Sequence, residues 1–264
     1  VIDTGHSSTS ISAALGLARA RDIKGEDHRI FAVIGDGALS GGMAYEALNN
    51  AARLKSNLII VLNDNQMSIS RNVGGMANYL GKIRTNTNYT GLKQDVEHAL
   101  EKMPRLGSRL TEQIRGIKDL IKRIFIPGML FEDMGLTYIG PIDGHNVEQM
   151  VAAFHSASQM KEAVIVHVST RKGKGYLPAE KDPSSFHGVA PFHIRDGSIR
   201  SKAKMPLTYT DVFSRTLLRL AEQDMRITAI SAAMPSGTGL LPMAEQYPKR
   251  SFDVGIAEEH AVTF

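Results

Sequence analysis

The chain has 264 residues, of which 42% are hydrophobic and 22% charged, with a formal net charge of +4 and no cysteine. That composition suits a globular chain able to bury roughly three quarters of its unfolded surface, and it excludes disulfides, thiolate metal sites and a cysteine nucleophile. The positive excess gathers between Lys82 and Arg123 without a base-reading motif, and no apolar run is long enough to span a bilayer. Neither a nucleic-acid nor a membrane partner is expected, an anionic small substrate suits the charge, and a cytoplasmic location is expected.

Taken in chain order, Ser7, Ser8 and Thr9 are N-cap candidates for an Ala/Leu-rich helix ending near Arg21. Ile30 to Ile34 is a short continuous apolar run, the pattern of a strand covered on both faces. Gly41 to Leu54 carries Met43, Ala47, Leu48, Ala51 and Leu54 at helical spacing, and Leu58 to Leu62 is a second buried strand. Strand, helix and strand with short connections predict a βαβ unit and a parallel sheet. Gln94 to Met103 and Arg105 to Phe125 read as amphipathic helices broken at Pro104.

Further strands are expected at Leu136 to Ile139 and Ala163 to Val168, with a helix from Val147 to Gln159 between them. His145, in Asp143-Gly144-His145-Asn146, reads as a turn before a helix cap. From Thr170 to Pro206 the pattern dissolves into Gly, Pro, Ser, Lys and His, as in a long loop or linker. Periodicity returns as a helix (Asp211 to Glu222), a strand (Ile227 to Ser231), a helix (Leu240 to Gln246) and a strand (Phe252 to Val254). The chain opens without Met and stops inside an apolar helical pattern, so a fragment of a longer protein is expected.

The chemistry centres on Gly35-Asp36-Gly37. Gly35, Gly37 and Gly41 give G-x-G-x-x-x-G, one residue too long for a dinucleotide fingerprint, and Met43 after Gly42 rules out a Walker loop. A bare aspartate would repel a phosphate unless a cation lay between them. Mg²⁺ takes one or two carboxylates together with phosphate oxygens, so Asp36 reads as a metal ligand. A second protein oxygen should come from a neighbouring strand end. The next strand ends in Asn63-Asp64-Asn65, and Asn65 lies 29 positions beyond Asp36.

Five ordered stretches carry a family resemblance: Gly5-His6-Ser7-Ser8-Thr9-Ser10-Ile11-Ser12, Asn63 to Ser70, Tyr138 to His145, Lys172-Gly173-Lys174-Gly175-Tyr176 and Asp253 to Thr263. Together with the GDG turn they resemble the 1-deoxy-D-xylulose-5-phosphate synthase family, a transketolase-like family of thiamine-diphosphate enzymes. The resemblance implies an α/β fold: a doubly wound parallel sheet forming a pyrophosphate- and Mg²⁺-binding module over 1–200, with a helical insertion over about 71–128. A linker and the truncated start of an α/β pyrimidine module follow over 201–264.

The resemblance also implies decarboxylation of pyruvate, transfer of the two-carbon unit to D-glyceraldehyde 3-phosphate, and a homodimer. It assigns Mg²⁺ to Asp36, Asn65 and the Met67 carbonyl. Thiamine diphosphate is assigned to Gly5, His6, Ser7, Gly37, Ala38, Asn65, Lys172, Tyr176 and Glu258, and substrate chemistry to Glu258, His6 and His187. Glu258 would exchange a proton with the aminopyrimidine ring, a task suited to a carboxyl in an apolar pocket. Read without the family, Glu258 is a helix-start carboxylate and His187 a surface histidine. Glu259 stands where the family usually has Gln. Another transketolase-type transferase, a non-catalytic binding fragment and a nicotinamide dehydrogenase remain as alternatives, and this chain alone is expected to bind Mg²⁺-diphosphate weakly and not to turn over.

Overall fold

The computed structural model describes residues 5–68, 72–85, 129–199 and 207–264. Helix α1 (Ser10–Lys24) leads into strand β1 (Phe31–Gly35), a 3₁₀ turn (Ala38–Ser40), helix α2 (Gly42–Ala51) and strand β2 (Leu58–Asp64). Helices α3 (Gly74–Thr85) and α4 (Met129–Asp133) precede strand β3 (Thr137–Asp143), helix α5 (Val147–Ser158) and strand β4 (Ala163–Ser169). The four strands form one parallel sheet in the order β1-β2-β4-β3. The helices expected at 94–103 and 105–125 lie outside the described residues.

Side-chain alternation divides the core into two layers. Leu58, Ile60 and Leu62 of β2, with Ala163 and Ile165 of β4, pack against α1, α2, α3 and α4. Ile59, Val61, Val164, Val166 and Val168 point the other way and pack on Ala153 and Ala157 of α5. Each fully buried aliphatic side chain contributes about 1.5–3 kcal/mol. Caps set the ends of the helices: Gly25, at φ +68°, closes α1 with its N–H on the carbonyls of Arg21 and Asp22. The Asn146 side chain accepts from the Gln149 N–H at the start of α5.

Three local expectations need correction. Strand β1 is not covered on both faces: Phe31 is 49% and Val33 63% exposed. Among the described residues β1 pairs only with β2, and Phe154 of α5 packs edge-on against Phe31. None of Ser7, Ser8 and Thr9 caps α1 with its side chain. Ser8 is buried at φ +66°, where its hydroxyl donates to the Ala38 carbonyl, and the Thr9 hydroxyl donates to His6. The loop after β4 carries a short helix, α6 (Leu177–Lys181), and a cluster of Tyr176, Phe186 and Phe192.

Beyond residue 206 lie α7 (Tyr209–Gln223), β5 (Ala229–Ser231), α8 (Leu241–Gln246), β6 (Ser251–Asp253) and α9 (Glu258–Thr263). A reciprocal Thr208–Asp211 capping box starts α7. Strands β5 and β6 pair in parallel over a small core of Ala221, Ala229 and Met243. Arg250 secures this unit by donating to the carbonyls of Ala221, Asp224 and Ile227. The Ser40 hydroxyl donates to the Ile256 carbonyl, joining the GDG turn to the loop before α9.

Candidate functional site

The parallel register brings the C-terminal ends of β1, β2 and β4 side by side, so Gly35 lies opposite Asn63 and Asp64 opposite Ser169. Open parallel sheets place ligands at this edge. Asp36, one residue past β1, is buried. Its Oδ2 accepts from the Gln66 backbone N–H and from Asn72 Nδ2, each at 2.8 Å. Its Oδ1 is buried and, among the described residues, has no hydrogen-bond partner. Gln66 sits at φ +67°, which turns its N–H back toward the carboxylates.

Asp64 is 1% exposed and held on both oxygens. Oδ1 accepts from Arg84 of α3 at 2.9 Å and from the Gln66 N–H at 3.2 Å, and Oδ2 lies 3.0 Å from His167 Nε2. The other ring nitrogen, Nδ1, lies 2.6 Å from the Tyr138 hydroxyl. An ionised carboxylate only accepts, so Nε2 carries the proton, and in the neutral ring Nδ1 accepts from Tyr138.

These contacts separate the two acids. Burial works against the Asp64 charge, but His167 and Arg84 hold its carboxyl below the ordinary range. Burial, followed by repulsion from Asp64, pushes the Asp36 carboxyl up to about 6. A cation at Asp36 Oδ1 would relieve both the missing hydrogen bond and the repulsion. One ionised carboxylate beside neutral oxygens and a phosphate is a donor set suited to Mg²⁺. Asn65 Oδ1 accepts from the Met67 N–H at 3.0 Å and keeps a second lone pair for a metal. No group of three or more His, Cys, Asp or Glu side chains forms a metal cluster among the described residues.

Beside Asp36 lies a cavity of about 430 Å³. Gly5, His6 and Ser7 line it from before α1, Gly37 and Ala38 from the GDG turn, and Met67 from the loop after β2. His187 and Glu258 close it from the later chain. Lys172 donates to the Ser68 carbonyl at 2.5 Å and to His187 Nδ1 at 2.8 Å. Burial, then the Lys172 charge, lower the His187 pKa, so the imidazole is neutral at pH 7.

Four assigned residues stand outside the cavity lining: Asp36, next to Gly35 and Gly37; Lys172, bonded to His187; and Asn65 and Tyr176. Asn65 is turned into its bond with Met67, and Tyr176 packs on Phe186 and Phe192 with its hydroxyl on the Ile194 carbonyl. Glu258 lies on the cavity wall but is exposed, so this chain does not form the apolar pocket expected around it. The sequence reading overlooked Asn72, Arg84, His167 and Tyr138. The one legible signal was His167, a polar residue inside the apolar run Ala163–Ser169.

A doubly wound α/β sheet with its polar site at the C-terminal strand ends defines the class. A family model described as "1-deoxy-D-xylulose-5-phosphate synthase" matches residues 1–170, and one described as "Transketolase, pyrimidine binding domain" matches 205–264. The chain belongs to the 1-deoxy-D-xylulose-5-phosphate synthase family. It is similar to the curated synthase of Lachnoclostridium phytofermentans, at 59% identity over 99% of this chain and 42% of the relative. The synthase of Desulforudis audaxviator is 57% identical over 98% of this chain and 41% of its own length. The chain therefore spans about two fifths of the length of these relatives. A solved transketolase from Campylobacter jejuni overlaps 67% of this chain and 21% of its own, at 21% identity and a TM-score of 0.40, too loosely to define the fold. Among the described residues no helix is long and apolar enough to cross a membrane.

Proposed function

We propose that the full-length protein is a 1-deoxy-D-xylulose-5-phosphate synthase. In this reading it joins pyruvate to D-glyceraldehyde 3-phosphate with release of CO₂, using thiamine diphosphate and Mg²⁺. The observation that supports it most directly is the buried Oδ1 of Asp36, unpartnered among the described residues, next to a cavity lined by its neighbours Gly35 and Gly37 and by Glu258. The residues present suit the group: Asp36, the Asn65 amide oxygen and the Met67 carbonyl would hold Mg²⁺ against the diphosphate. Gly5, His6, Ser7, Gly37, Ala38 and Lys172 would hold the remainder of the cofactor.

When bound, thiamine diphosphate supplies an acidic ring carbon whose conjugate base adds to ketones and takes up the electrons of decarboxylation. Glu258 would hold the proton shared with the pyrimidine ring nitrogen. Lys172 donates to His187 Nδ1, so in the neutral ring Nε2 carries the hydrogen and can donate to a substrate oxygen. His6, which also lines the cavity, is the second candidate for moving a substrate proton. The division into modules over 1–200 and 201–264, a homodimer, a cytoplasmic location and a product feeding isoprenoid and thiamine synthesis complete the reading.

The test is calorimetry of the full-length protein with thiamine diphosphate. Binding that needs Mg²⁺ and is lost in Asp36→Ala is expected, together with formation of the product when pyruvate is the sole donor. Unchanged binding in Asp36→Ala refutes the metal assignment. Turnover with sugar phosphates but not pyruvate would make it a transketolase-type enzyme instead.

A further inference from the structure

Asp64 is followed directly by Asn65 and Gln66, which makes its orientation a structural lever on the cation site. The Gln66 N–H that serves Asp36 Oδ2 also serves Asp64 Oδ1, so the two carboxylates are coupled through one backbone group. Arg84 reaches Asp64 from α3, which is 23% exposed at this side chain. The other brace is internal. His167 is 0% exposed in the middle of the sheet, and its ring spans from Asp64 on β2 to Tyr138 on β3. Tyr138 is stacked on Phe131 at 5.9 Å with an interplanar angle of 7°, which leaves the far end of this chain little freedom. A histidine needed only to fill a sheet interior would not require a carboxylate partner at the strand end. Burying that pair costs desolvation, and an apolar pair of similar volume would avoid the cost.

We propose that His167 is a positioning residue for the cation site, acting through its Nε2–H on Asp64 to hold the Asn65–Gln66 turn that presents Asp36. This rests on the cation-site reading above. Partners that orient metal-binding side chains are typically worth 10–100-fold in metal affinity.

Two variants of His167 divide the ring's two contacts. His167→Gln extends an amide N–H toward the position of Nε2 and keeps a donor for Asp64. His167→Asn reaches only as far as Nδ1, so it can accept from Tyr138 but leaves Asp64 without that donor. The measurement is Mn²⁺ binding by electron paramagnetic resonance in the full-length protein with thiamine diphosphate, alongside melting temperature. The expected result is a loss of at least tenfold in Mn²⁺ affinity for His167→Asn and of less than threefold for His167→Gln, at comparable melting temperatures. Turnover of His167→Asn should recover when Mg²⁺ is raised. Affinity within twofold of the parent in His167→Asn overturns the proposal. So does equal weakening in both variants that follows their loss of stability. If Asp36→Asn abolishes Mn²⁺ binding while His167→Asn leaves it intact, only the role of His167 fails. If the parent binds no Mn²⁺, both readings fail.

Discussion

Asp36 and Asp64, from adjacent strands, share a single backbone donor: the Gln66 N–H lies 2.8 Å from one carboxylate and 3.2 Å from the other. Among the described residues Asp64 is ion-paired with Arg84 and lies against His167, whereas Asp36 has no ion pair and is attracted only at longer range by the Lys172 ammonium, so the charge of Asp64 is the better compensated of the two. The pair is therefore asymmetric before any ligand arrives. The destabilised member is the one with an unpartnered oxygen.

A pH dependence follows from that asymmetry. The Asp36 carboxyl is pushed up to about 6 from 3.8, by burial first and Asp64 second. Between those values the folded state holds a proton that the unfolded state has lost, so this group makes the metal-free protein less stable as pH rises from about 4 to about 6. Mg²⁺ competes with the same proton, so its affinity should rise over that interval and level off above it. Asp36→Asn should raise the metal-free melting temperature at pH 7.5 and abolish the upward shift caused by Mg²⁺. Thermal scans of parent and variant at pH 4.5, 6 and 7.5 check this. A parent that gains stability relative to the variant as pH rises would contradict it.

Gly37 is needed for space rather than for backbone conformation, because its φ of −65° suits any residue. A Cβ there would lie 2.8 Å from Asn72 Oδ1 and 2.9 Å from Ser68 Cβ. Gly37→Ala should therefore displace the segment that donates to Asp36 and cost about 1–3 kcal/mol. Urea denaturation measures the stability loss. Calorimetry should show thiamine diphosphate binding at least tenfold weaker, and an alanine variant that binds normally would show that this segment does not shape the site.

The Lys172–His187 contact can be tested by titration. Burial and then the Lys172 charge lower the His187 pKa. Lys172→Met removes the charge and should move the His187 titration upward, read from its ring-proton NMR signals between pH 4 and 8. A midpoint that stays put would show that the ammonium does not face His187 in solution.

The sheet was legible because strand burial has a local signature. Leu58 to Leu62 and Ala163 to Val166 are continuous apolar runs, and both are buried on two faces. The run ending in Ile34 looked the same, yet Phe31 and Val33 are exposed, since sheet position rather than composition decides whether a second face is covered. The GDG turn and the Asn63-Asp64-Asn65 strand end were likewise visible as a pair, because one βαβ unit joins them.

What the sequence determined by itself was the six strands, helices α1, α2, α5, α7 and α8, the family-like motifs and the placement of Asp36 at a strand end. Those depend on backbone periodicity and on residues close together in the chain. Only the tertiary structure decided that Asp64 would be neutralised, that Asp36 would keep a bare oxygen, and that Tyr176 would turn toward Phe186. His167 is 103 positions from Asp64, and their contact exists because β4 inserts between β2 and β3. Strand order is settled by packing the whole chain at once, so the charge balance of the site could not be read from any local stretch of it.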